Sequence, residues 1–110
     1  MIVVDDQIGS PTFTIDLAKA FVALINQDAR GMFHITNSGY CSWFDYAKTI
    51  VEMAGIEGVI IEPITSDQYP GKAQRPKNSR MDCRKFEQVS QTKMPHYREA
   101  LKEYLKGINV

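Results

Sequence analysis

Residues 3–20, VVDDQIGSPTFTIDLAKA, fall into three parts: a β-branched run closes on Asp5 and Asp6, a loop holds Gly9 and Pro11, and an apolar stripe at helical spacing begins at Leu17. A strand that passes into a helix through one short loop is the unit from which α/β and α+β folds are assembled. Ile2, Val3 and Val4 read as that strand, continuing an element that precedes residue 1. Gly9 permits positive φ, Pro11 fixes φ, and Thr12 or Thr14 is placed to cap the helix. The helix is expected to bury Leu17, Ala18, Phe21, Val22, Leu24 and Ile25. Capping accounts for Gly9, Pro11 and one threonine, but it leaves Asp6, Gln7 and the second hydroxyl residue without a task.

Outward from this stretch the alternation continues. Residues 32–36 read as a strand, and Asn37-Ser38-Gly39 as a turn. Ser42 with Asp45 three positions on resembles a capping box that opens a second helix. Its expected stripe is Phe44, Ala47, Ile50, Val51 and Ala54, and Gly55 supplies the left-handed residue that ends it. Val59, Ile60 and Ile61 read as a third strand whose ladder Pro63 limits. Residues 69–78 hold two prolines and a glycine with few apolar side chains, the composition of a surface loop. Asp82 is placed to cap a short helix ending at Val89. A last helix with Pro95 in its first turn buries Tyr97, Leu101, Tyr104 and Leu105. The expected fold class is α/β, α+β-like as an isolated piece, with about three short strands and three main helices.

Composition narrows the function. The 110 residues are 44% hydrophobic and 24% charged with zero formal net charge, as in an ordinary single globular domain. No apolar run approaches the ~18 residues of a membrane span and no signal-peptide pattern opens the chain, so no membrane partner and a cytoplasmic location are expected. Cys41 and Cys83 have no companions at zinc spacing and read as structural thiols. His34, inside the expected strand, reads as a hydrogen-bonded structural histidine, and His96 as exposed at a helix start. Trp43 reads as packed on a neighbouring strand, stacking on a base or sugar being the other reading. Acidic residues outnumber basic ones six to three in residues 1–55, and the balance reverses to seven and ten in 56–110. Lys72, Arg75, Lys77, Arg80, Arg84 and Lys85 concentrate the excess, a run that is either a solvated face or a site for an anion. Without interleaved aromatic platforms it does not point to nucleic acid.

No G-x-G-x-x-G or G-x-x-x-x-G-K-[ST] loop occurs, and no Tyr-x-x-x-Lys pair. The chain therefore lacks, in its own sequence, a dinucleotide loop and a tyrosine–lysine proton donor.

Residues 3–20, then GMFHITNSGYCSWFDYAKTIVEMAGI (31–56), RPKNSRMD (75–82) and PHYREALKEYL (95–105), together resemble the C-terminal portion of the dTDP-4-dehydrorhamnose reductase family of extended short-chain dehydrogenase/reductases. The D-Q-x-G-x-P-T and R-P-x-x-S motifs carry the resemblance, which covers nearly the whole chain. It implies a single C-terminal substrate-binding domain over 1–110, joined in the whole enzyme to an N-terminal Rossmann domain that binds NADPH and carries the catalytic tyrosine and lysine. The implied reaction reduces dTDP-4-dehydrorhamnose to dTDP-L-rhamnose, a precursor of cell-surface polysaccharide. The segment alone is expected to be inactive, with no catalytic, cofactor or metal residues of its own. Magnesium has been linked to related reductases, but no carboxylate cluster here invites it. The resemblance places the 5–14 loop beside the interdomain cleft, making Asp6, Gln7 and Thr12 candidates for the sugar end of the site. Arg75, Lys77 and Arg80 are candidates for the diphosphate, because a guanidinium fork gives bidentate, charge-assisted bonds to phosphate. Expected partners are the dTDP-sugar, the enzyme's own Rossmann domain and a second copy in a homodimer. A reductase-like binding or regulatory module acting through a protein partner is the other function class left open.

Overall fold

The computed structural model describes residues 1–71 and 73–108; Lys72 of the basic run lies outside the described residues, as do Asn109 and Val110. Strands β1 (Ile2–Val4), β2 (Ile8–Gly9), β3 (Cys41–Ser42) and β4 (Glu62–Ile64) alternate with helices α1 (Thr14–Asn26), α2 (Trp43–Ala54), α3 (Arg84–Ser90) and α4 (Tyr97–Gly107). The fold is mixed α/β, with two sheets of two strands each. β1 and β4 run parallel with Val3 opposite Pro63, and β2 and β3 run antiparallel with Ile8 opposite Ser42.

The third strand sits later than expected. Val59 and Ile60 are exposed, and the ladder forms at Glu62–Ile64 across Pro63. Pro63 is tolerated because the Glu62 N–H donates to Met1 O at 2.9 Å and Ile64 O accepts from the Asp5 N–H at 2.8 Å. In a parallel ladder the residue between two such partners points its own N–H away, so its loss costs no bond.

Residues 32–36 form no strand. Their alternation is real, since Phe33 and Ile35 pack on the cluster built by Ala20, Leu24 and Phe86, but their backbone has no ladder partner among the described residues. His34 is exposed there, without a side-chain hydrogen bond among the described residues, rather than tied into a strand.

α1 is capped from a distance. Its N-cap is Phe13, whose N–H donates to Asn37 Oδ1 at 2.6 Å, while Thr12 Oγ1 instead donates to Ser10 O and accepts from the Asn37 N–H. The expected stripe is also corrected: Ala20 and Leu24 are buried, whereas Phe21, Val22 and Ile25 face outward. α2 behaves as read. Ser42 Oγ accepts from the Asp45 N–H at 3.1 Å, and the helix ends at Gly55 in the left-handed region. The α3 cap is Cys83, although the Asp82 carboxylate accepts the Arg84 N–H at 3.0 Å from one residue earlier. The α4 cap is His96, whose Nδ1 accepts from the Arg98 N–H, so Pro95 lies before the helix rather than in its first turn. Tyr97, Leu101 and Leu105 are buried as expected, and Tyr104 is half exposed with its ring edge-on to Phe13 at 6.0 Å.

Candidate functional site

Residues 6–12 reach the basic loop through a ladder that periodicity does not reveal. The Ile8 N–H donates to Lys77 O at 2.8 Å and the Ser79 N–H donates to Ile8 O at 2.8 Å, so residues 77–79 lie along β2 on the side opposite β3. The approach depends on Gly9: a Cβ there would stand 2.7 Å from Ser79 Oγ. Close approach explains this glycine, which does not adopt the positive φ expected of it.

Two adjoining cavities open beside this ladder. One, of about 290 Å³, is lined by Gly9, Ser10, Pro11 and Pro76 among others, and the other, of about 1070 Å³, by Ser66, Tyr69, Gln74 and Lys77 among others. Gln7, Trp43 and Arg75 line both. The D-Q-x-G-x-P-T and R-P-x-x-S motifs therefore meet on one wall.

The six candidates from the sequence divide accordingly. Gln7, Arg75 and Lys77 lie at the larger cavity. Arg75 has no hydrogen bond or ion pair among the described residues, and its guanidinium is left for solvent or ligand. Asp6 stands next to the cavity, with Oδ1 accepting from Ser66 Oγ at 2.6 Å and from the Ser66 N–H at 2.9 Å. Those two bonds, with a smaller contribution from Lys77, hold its carboxyl below the usual range. Asp6 thereby ties the loop to the turn after β4, and Gln7 Nε2 donates to the same Ser66 hydroxyl at 3.1 Å. Thr12 is spent on Ser10 and Asn37 and faces a different hollow, with Tyr46 and Tyr97. Arg80 also lies elsewhere, its guanidinium 4.5 Å from the Tyr40 ring centroid, in a cavity of about 480 Å³ with Asp82 and Glu87.

Sequence reasoning missed Ser66 and misjudged Trp43. Thr65 and Gln68 carry the S/T-x-x-Q signature of a capped turn, and Gln68 Oε1 does accept the Thr65 N–H at 3.1 Å, which marks residues 65–68 as ordered. Trp43 was expected to be packed and is instead 55% exposed at the cavity mouth. No group of three or more His, Cys, Asp or Glu side chains placed to hold a metal occurs among the described residues, and no helix among them is long and apolar enough to cross a membrane.

The family model described as "RmlD substrate binding domain" matches residues 1–110. The chain belongs to that family. It is 43% identical over 104 residues to the spore coat polysaccharide biosynthesis protein SpsK of Bacillus subtilis, covering 94% of this chain and 36% of that protein. It is 38% identical over 100 residues to the dTDP-4-dehydrorhamnose reductase of Mycobacterium tuberculosis, covering 90% and 33% respectively. The crystal structure of the Bacillus anthracis dTDP-4-dehydrorhamnose reductase in complex with NADP superposes with a TM-score of 0.91 at 34% identity, over 97% of this chain and 38% of that one. The chain thus spans about a third of the length of the relatives it matches.

Proposed function

We propose that this chain is the substrate-binding segment of an NADPH-dependent dTDP-4-dehydrorhamnose reductase, and that it holds the nucleotide end of a dTDP-sugar while the remaining two thirds of a relative-like protein carry the reaction. The observation that supports this reading most is the β2–residue 77–79 ladder, which brings Gln7, Trp43, Arg75 and Lys77 to shared cavities. Arg75 and Lys77 match a diphosphate: two cationic side chains on one wall, one of them a fork able to bind two oxygens at once. Gln7, oriented by its bond to Ser66, offers an amide to a sugar hydroxyl. Asp6 acts through Ser66 to hold that loop in place, and Thr12 and Arg80 act further from this wall.

NADPH supplies the hydride for reductases of this family, but no loop of this chain has the glycine pattern that cradles a dinucleotide. The residues present do not fit the cofactor, and its site is assigned to a Rossmann portion outside these 110 residues. The segment alone is then expected to bind without turning substrate over. The outward face of α1, with Phe21, Val22 and Ile25, is the surface proposed to meet that portion.

An amide-shift NMR titration of the chain with dTDP-L-rhamnose tests the reading. Shifts concentrated at Gln7, Ser66, Arg75 and Lys77 support it; shifts confined to the Arg80 cavity, or none at millimolar ligand, sink it.

A further inference from the structure

Trp43 is the first residue of α2, and its backbone is fixed on three sides. Ser42 before it pairs with Ile8, caps the helix through the Asp45 N–H, and donates from Oγ to Asp5 Oδ1 at 2.7 Å. A large apolar side chain on so rigid a position would ordinarily be packed. Its indole is instead 55% exposed, and no aromatic ring or cation stacks on it among the described residues. With Gln7 and Arg75 it makes up the trio common to both cavities, and the larger cavity carries a second exposed aromatic, Tyr69.

From this geometry we infer that Trp43 is the stacking platform for the pyrimidine base of the bound nucleoside diphosphate, and therefore a residue that sets selectivity for a nucleotide over a bare sugar or phosphate. The inference rests on the proposed function and deepens it. A flat π-face held by a rigid helix start loses little conformational freedom when a base lands on it, and base–aromatic stacking is strong enough to dominate a small ligand's affinity. Arg75 on the same wall places the diphosphate next to the base, the order in which a nucleoside diphosphate presents its parts. The amide of Gln7 is then left for the groups beyond.

Trp43 is the single tryptophan of the chain, so its emission reports this site alone. The chain is titrated with dTDP, thymidine, L-rhamnose and pyrophosphate while indole fluorescence is read, and binding is measured in parallel by calorimetry. Quenching by dTDP and thymidine, with none from rhamnose or pyrophosphate, is the expected result. Trp43→Ala should weaken dTDP binding by about tenfold or more, and Trp43→Phe should recover most of the loss. Unchanged far-UV circular dichroism guards against misfolding, which the exposure of the indole makes an unexpected outcome. If calorimetry shows dTDP binding that neither moves the emission nor weakens in Trp43→Ala, the stacking assignment is overturned and the substrate-segment reading stands. If dTDP does not bind the native chain at millimolar concentration, both are overturned.

Discussion

Asn37 joins two distant parts of the chain through one buried amide. Fully shielded from solvent, it accepts from the Phe13 N–H and donates to Asp16 Oδ2 at 2.9 Å and Pro95 O at 3.1 Å, tying the start of α1 to the approach to α4. Asn37→Ala would leave a helix-start donor, a carbonyl and a carboxylate, all part-buried, without these partners. A loss of about 2–4 kcal/mol in urea unfolding is expected, since each orphaned group costs more than the bond it made; a loss near zero would mean that water takes over all three. The two thiols differ for a related reason. Burial pushes the Cys41 thiol up, whereas Cys83 is partly exposed beside Thr36. Titration with a disulfide reagent at pH 8 should label Cys83 rapidly and Cys41 only on unfolding.

At the scale of elements, the ends of α3 and the turn before β3 carry sharper tests. The Arg84 guanidinium donates to the Asp82 carboxylate at 2.6–3.0 Å and holds its carboxyl at about 2. A folded-state value below the unfolded one of ~3.9 stabilises the fold above pH ~4, and that stabilisation is lost as pH falls through about 2. The pair is solvent-exposed and the effect small. Asp82→Asn should therefore separate slightly from the native chain in thermal midpoint at pH 6 and converge with it near pH 2. Gly39, with φ +77°, admits no side chain, because a Cβ would collide with the His96 imidazole at the α4 cap. Gly39→Ala should lower stability by about 2 kcal/mol or more and disturb the His96 signals in NMR.

The same elements show what local sequence can and cannot reveal. The Ser42 cap and the Gly55 terminus depend on neighbours within four residues and were legible. The cap of α1 was not, because its acceptor is Asn37, twenty-four residues away from Phe13. Residues 32–36 have the alternation of a strand and lack a partner strand, and a ladder needs both. The candidate site was half legible: each motif could be read alone, but their meeting rests on backbone bonds between Ile8 and residues 77–79 that leave no periodic trace. Lys77 and Arg80, three apart in an irregular loop, then fall at different cavities.

The molecule as a whole is flatter than its length requires. Its radius of gyration is 16.0 Å, against ~13 Å for a compact domain of this size, and its smallest dimension is 19 Å. So thin a body buries little: among the described residues Ala20, Leu24 and Phe86 form a small buried apolar cluster, and Tyr97, Leu101 and Leu105 are buried on α4. Some of the exposed apolar groups are gathered on one helix. Phe21, Val22 and Ile25 share one side of α1, with Ile25 73% exposed, close in sequence to the unpaired 32–36 segment. A contiguous apolar face favours association with another surface. The isolated chain should therefore bind a hydrophobic dye and sediment with a mass that rises with concentration. Phe21→Ser with Ile25→Ser should abolish both while leaving the unfolding midpoint nearly unchanged, because neither side chain is buried within the chain. Supplying the Rossmann portion of a relative in trans should suppress dye binding to the native chain. A chain that stays monomeric and dye-free at high concentration would show that α1 needs no cover, and the surface proposed to meet the Rossmann portion would have to be sought on another face.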